Sequence, residues 1–142
     1  MTTRDRIAFG CYVVPALTLL AFGVRYLTAS EFMPYHAAGM QRDWSELLAN
    51  EQGVMLAALR GGGGGFVIGG VSIMLLLAIP FRRGDLWAHR AVPALVVLCS
   101  LSGLYTSLTL TLLTPGSPPW PLTLVMVVLA AVGFVLSPGR VR

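Results

Sequence analysis

No lysine occurs among the 142 residues, and only 11% of them carry a charged side chain. Soluble domains hold about 25% charged residues. A fold of this length with 56% hydrophobic residues could not cover its apolar surface with so few charges, so a soluble fold is excluded and an integral membrane protein is expected. The missing lysine also removes the phosphate loop as a reading of the glycine run at 61–65. That motif needs a lysine and a hydroxyl directly after its last glycine, on a turn that follows a strand. Cysteine is scarce too. Cys11 and Cys99 form no CxxC pair, which argues against a disulfide oxidoreductase and leaves both as apolar filler. The two histidines, His36 and His89, fall on opposite sides of the membrane in the topology below, so they cannot share a metal. HExxH and GxSxG are absent. All six acidic residues lie outside the expected hydrocarbon core, which argues against a proton-relay pump. No soluble basic patch with interleaved aromatics exists, which excludes nucleic acid as a partner.

What is abundant is long apolar sequence. Four segments stand out, at residues 7–28, 53–81, 91–113 and 121–137. A helix needs about 20 residues to cross the hydrocarbon core. The first three segments are long enough, and the fourth is short, with Trp120 as an interfacial anchor. The first segment follows Arg4 and Arg6 as a signal peptide would. Its apolar run is too long for one, and Leu27-Thr28-Ala29 is a poor cleavage site, so it is read as a retained helix. Seven of the ten arginines (Arg4, Arg6, Arg82, Arg83, Arg90, Arg140, Arg142) fall on one side if four helices cross. The positive-inside rule then puts both termini in the cytoplasm. The expected fold is an all-α membrane protein, a single antiparallel four-helix transmembrane bundle with a partly helical outer loop at 29–52.

In that loop Pro34 and Gly39 are expected to break helix locally. Asp43 or Ser45 caps a helix that starts near Trp44 and runs on into the second segment. The prolines around Trp120 read as a stiff turn. Glycine in a membrane helix permits close backbone approach. Gly61, Gly65 and Gly69 are therefore expected to form a groove against which another helix packs, with a kink or hinge as the rival use.

Arg60 lies at the mouth of the glycine run. The twenty residues from Gly61 to Pro80 rise about 30 Å as a helix, enough to span the core alone. Arg60 thus falls near the outer boundary, and Arg25 reaches nearly the same level. Two readings stand. Either both arginines snorkel to headgroups or water, or they form a cationic pocket facing outward. The pocket reading adds Glu31, Asp43, Glu46 and Glu51 as counter-charges, His36 and Tyr35 as donors, and Tyr105, Thr106 and Thr109 from the outer half of the third segment.

The layout of four helices in a short chain, with Arg60-Gly61-Gly62 in the second segment, resembles the small four-helix bacterial membrane proteins of the DoxX-like and related families. The resemblance implies an inner-membrane location and an accessory role, and no site residue follows from it. The expected function is a non-enzymatic accessory or interaction subunit that binds an anionic lipid or small ligand near Arg25 and Arg60, without cofactor or metal. A small oligomeric transporter is the alternative, and a membrane enzyme using His36 and the arginines comes third. Membrane lipids and a second copy or another membrane protein are the expected partners.

Overall fold

The structure, a computed structural model, describes residues 2–137. Arg140 and Arg142, which the topology argument uses, lie outside the described residues. Every regular element among the described residues is helical: α1 (Thr3–Leu27), α2 (Pro34–Met40), a short 3-10 turn (Trp44–Glu46), α3 (Ala49–Leu76) continuing through a π turn (Leu77–Phe81), α4 (Ala88–Leu113) and α5 (Trp120–Leu136). Three stretches are long and apolar enough to cross a membrane: Thr3–Leu27, Ala49–Phe81 and Ala88–Leu113. Helix α5 is apolar but shorter.

Local chemistry sets the ends. Thr2 and Asp5 form a capping box at the start of α1, with the Asp5 amide donating to Thr2 Oγ1 at 3.2 Å and the Thr2 amide to Asp5 Oδ2 at 2.8 Å. Pro34 opens α2 rather than breaking it, because its fixed φ and missing N–H suit the first helical position. Gly39 lies inside α2, and the stop comes at Gln41, which takes the left-handed conformation at φ 52°. The helix expected to run from Trp44 into the second segment is in two pieces. Leu47 and Leu48 are both extended, and α3 starts only at Ala49. Glu51 then accepts from the Leu48 amide at 2.8 Å and satisfies one of the open donors of the new helix. At its other end α3 widens into the π turn at Pro80, a residue that cannot donate to the ladder.

The tightest packing joins α1 to α3. A Cβ on Gly23 would sit 2.9 Å from the Gly63 carbonyl, and one on Gly63 would sit 2.9 Å from the Gly23 carbonyl. Farther along, a Cβ on Gly70 would lie 2.9 Å from the Ala16 carbonyl, and Tyr12 meets Phe81 edge-on at 5.9 Å. Residue numbers rise on one helix as they fall on the other. The same reversed order relates α5 to α1, through Gly133 on the Tyr12 ring, and α4 to α3, through Cys99 beside Gly69 and His89 stacked on Phe81 at 4.1 Å. The buried core, with Tyr12, Ala16, Ile73, Phe81, Val92 and Ala130 at its centre, fills the half of the molecule towards Asp5 and His89, here called the basal half. There His89 Nδ1 and Ser137 Oγ are 2.6 Å apart, and Ser137 donates to Asp5 Oδ1 at 3.2 Å. This chain of polar groups ties α4, α5 and α1 together.

The glycine groove is rotated from its expected position. Among the described residues, no atom outside their own helix comes within 4 Å of the Cβ positions of Gly61 or Gly65, and at Gly69 a Cβ would meet Cys99 Sγ at 3.3 Å and Leu19 Cδ1 of α1 at 4.0 Å. The backbone-to-backbone approach falls on Gly63 and Gly70 instead, seven residues apart and therefore on one face.

Candidate functional site

In the upper half, α3 and α4 part company, and a cavity of about 720 Å³ lies between them. Ligand sites typically measure about 300–1,000 Å³. The cavity exists because facing positions on two helices are small. Gly62 and Gly65 of α3 line one wall and Ser100, Gly103 and Ser107 of α4 another. Phe22, Tyr26 and Phe66 provide aromatic surface, Met126 of α5 contributes from the far side, and Phe32, Tyr35 and His36 cover the upper rim.

Among the described residues, no lysine, arginine, aspartate or glutamate lines this space. His36 is the one ionisable base among the described residues that line it, and burial holds its pKa below the ordinary value. The Met33 amide donates to His36 Nδ1 at 3.2 Å. An amide can only donate, so Nδ1 is the acceptor and the neutral ring carries its hydrogen on Nε2. Tyr35, whose hydroxyl is hydrogen-bonded to that of Tyr26, has its pKa pushed up by burial and by that bond. The whole cavity is therefore neutral around pH 7.

Its hydroxyls differ in their engagement. Thr18 donates to the Val14 carbonyl at 2.9 Å, Thr106 to that of Ser102 at 2.8 Å, and Thr123 to that of Trp120 at 2.8 Å. Ser107 likewise bonds the Gly103 carbonyl. Ser100, 1% exposed, has a buried Oγ with no partner among the described residues.

A second, polar cleft of about 680 Å³ lies above the first, between the α1 end and the outer loop. Arg25, Glu31, Arg42, Asp43 and Glu46 line it, and Phe32 borders both spaces. Phe32 is held edge-on by Trp44 at 5.1 Å, so an aromatic wall separates the neutral cavity from the charged cleft. Arg42 makes a two-pronged contact with Glu51, at 3.2 and 3.1 Å, and donates to the Glu46 carbonyl at 2.7 Å. That contact holds its pKa above the ordinary value.

The residues expected to share one pocket are distributed over these surroundings. Arg25 and Glu31 line the polar cleft, and His36 lines the apolar cavity. Glu51 is engaged with Arg42. Arg60 lines neither space and donates to the Ala29 carbonyl at 3.2 Å. Tyr105 is 74% exposed and turned away from both, while Thr106 rather than Thr109 reaches the cavity. Sequence reasoning missed Ser100 and Phe32, and it placed Gly62 on the packing strip, whereas Gly62 lines the cavity. A signal for Ser100 was present, since Ser100, Gly103, Thr106 and Ser107 repeat at helical spacing and make one small, hydroxylated face of α4.

No protein-family model matches the chain, and neither a curated protein nor a solved structure matches it.

Proposed function

We propose that the chain is a multi-pass protein of the bacterial inner membrane, an antiparallel four-helix transmembrane bundle with both termini cytoplasmic. It acts as a non-enzymatic accessory subunit that holds one neutral, lipid-like molecule between α3 and α4. A belt of exposed apolar side chains supports the membrane reading: Leu112, Leu113 and Val135 are each more than three-quarters exposed, as lipid-facing residues should be. Helix α5, at 17 residues, rises about 25 Å, and Trp120 at its start extends its reach to the interface. The accessory role is what the resemblance of the sequence to DoxX-like proteins implies.

The observation that carries the ligand reading is a large cavity whose lining, among the described residues, holds no formal charge. A charged headgroup there would lose its hydration without a partner, at a cost far beyond what apolar contacts return. Binding of an anion jointly by Arg25 and Arg60 has less support, because Arg60 is engaged by a carbonyl and Arg25 shares its cleft with Glu31, Asp43 and Glu46. Most of the serine and threonine hydroxyls of the cavity are tied back to helix carbonyls, an arrangement suited to holding a molecule rather than converting it.

Native mass spectrometry of protein released from lipid nanodiscs tests this. One retained neutral lipid per chain is expected, unaffected by Arg25→Gln or Arg60→Gln. Retention of anionic lipid alone, lost in either arginine variant, would contradict the reading and restore the cationic site.

A further inference from the structure

We infer that Ser100 anchors the cavity's occupant, and that this occupant is an uncharged lipid carrying a hydrogen-bond acceptor oxygen, such as an ester carbonyl, which reaches the deep end of the cavity. The inference rests on the ligand reading above and specifies its chemistry.

A serine on a helix ordinarily donates to the carbonyl one turn back and is thereby satisfied. Thr18, Thr106 and Ser107 do so in this cavity, and Thr123 bonds a carbonyl three residues back. Ser100 Oγ does not, although it is buried and lines the same space. A buried hydroxyl without a partner is costly, and native proteins rarely keep one without a use. Leu19 and Met126, which line the same space, are both 5% exposed or less and carry no side-chain oxygen or nitrogen that would hold a water. The partner that fits is an oxygen brought in by a ligand whose remainder lies along the apolar walls.

The depth of the site sets the ligand's shape. Cys99, next to Ser100, stands against Gly69, whereas Tyr26 at the rim stands against Gly63. Six residues of α3 separate those levels, or about 9 Å of helix. The acceptor oxygen must therefore sit well below the rim, with apolar groups of the molecule lying beside it against Phe22 and Phe66. An anion is a poor candidate at that depth, since neither wall offers a counter-charge.

The test uses the full-length protein, delipidated and returned to detergent, with three probes: monoolein, hexadecane and oleate. Wild type, Ser100→Ala and Gly65→Leu are compared for probe binding and for thermal stability without probe. Ser100→Ala removes an unpaired hydroxyl, so its melting temperature without probe should equal or exceed that of wild type. Its affinity for monoolein should fall about fivefold, the loss of one neutral hydrogen bond, while the weaker binding of hexadecane should not change. Opposite movement of stability and affinity is not expected from a residue that only packs. Monoolein binding by Ser100→Ala within twofold of wild type would overturn the role of Ser100. The cavity reading would survive that result if Gly65→Leu, which fills the space, still abolishes binding. Equal binding in all three proteins would overturn both, and tighter binding of oleate than of monoolein would overturn the neutral ligand.

Discussion

Gly63 and Gly61 are two residues apart in one run, yet the bundle treats them oppositely. Gly63 lies against the Gly23 backbone, where a methyl group would force two helices apart, while Gly61 faces open space. Gly63→Ala and Gly70→Ala should each destabilise the protein by about 1–3 kcal/mol, as overpacking does. Gly61→Ala should be neutral or stabilise by up to about 1 kcal/mol, because alanine is the better helix former. Thermal unfolding in one detergent decides it, and equal losses at the three positions would contradict the packing register. Five successive glycines carry no side-chain periodicity, so the sequence could announce a smooth surface without revealing which side faced α1. His36 is legible only in part for a similar reason. Its presence in the loop is plain, but its burial depends on α2 folding over the cavity rim. Because burial lowers its pKa below 6.5, the docked loop binds fewer protons than the undocked one once the pH drops below that value. Docking is therefore favoured at neutral pH and weakens as pH falls from about 6.5 through the depressed pKa. Protonation of Nδ1 would also remove the acceptor for the Met33 amide. Hydrogen exchange at Met33, corrected for intrinsic rate, should speed up at pH 5 relative to pH 7.5. A flat profile, or one unchanged in His36→Gln, would contradict this.

At the scale of elements, the long helices were readable because length and hydropathy alone specify them. The expected segments at 7–28, 53–81, 91–113 and 121–137 correspond to α1, α3 with its π turn, α4 and α5. The outer loop was harder. Trp44, Leu47 and Leu48 have helical spacing with the start of α3, but the chain turns extended at Leu47 and Leu48. The break is stabilised by contacts a local pattern does not encode: Phe32 against Trp44, and Arg42 reaching nine residues along the chain to Glu51. Glu51 serves two purposes, capping α3 through the Leu48 amide and fixing Arg42. Glu51→Gln keeps an acceptor for the amide, whereas Glu51→Ala removes both contacts. Amides at the start of α3, Leu48 to Gln52, should exchange near the wild-type rate in the first variant and faster in the second. Wild-type protection in both would mean that neither the ion pair nor the cap holds this end, as is common for exposed pairs.

For the whole molecule, the charge distribution and the cavity point the same way. Arg4, Arg6, Arg82, Arg83 and Arg90 belong to the basal end, where Asp5, Ser137 and His89 close the bundle. The cavity lies in the other half, beneath the loop. A C-terminal fluorescent-protein fusion should be bright and a C-terminal alkaline phosphatase fusion inactive, with phosphatase active when inserted at Ser45. Phosphatase activity at the C-terminus would invert the topology and put the cavity in the cytoplasmic leaflet. The central claim is that the space between α3 and α4 is a binding site. Its most direct test is the mass of the protein with and without that space. Gly65 lines the cavity, and among the described residues no atom outside its own helix lies within 4 Å of its Cβ position, so Gly65→Leu should fill the space without displacing α1 or α4. Native mass spectrometry should find one neutral lipid on wild type and none on a folded Gly65→Leu protein. Equal retention by both would contradict the account.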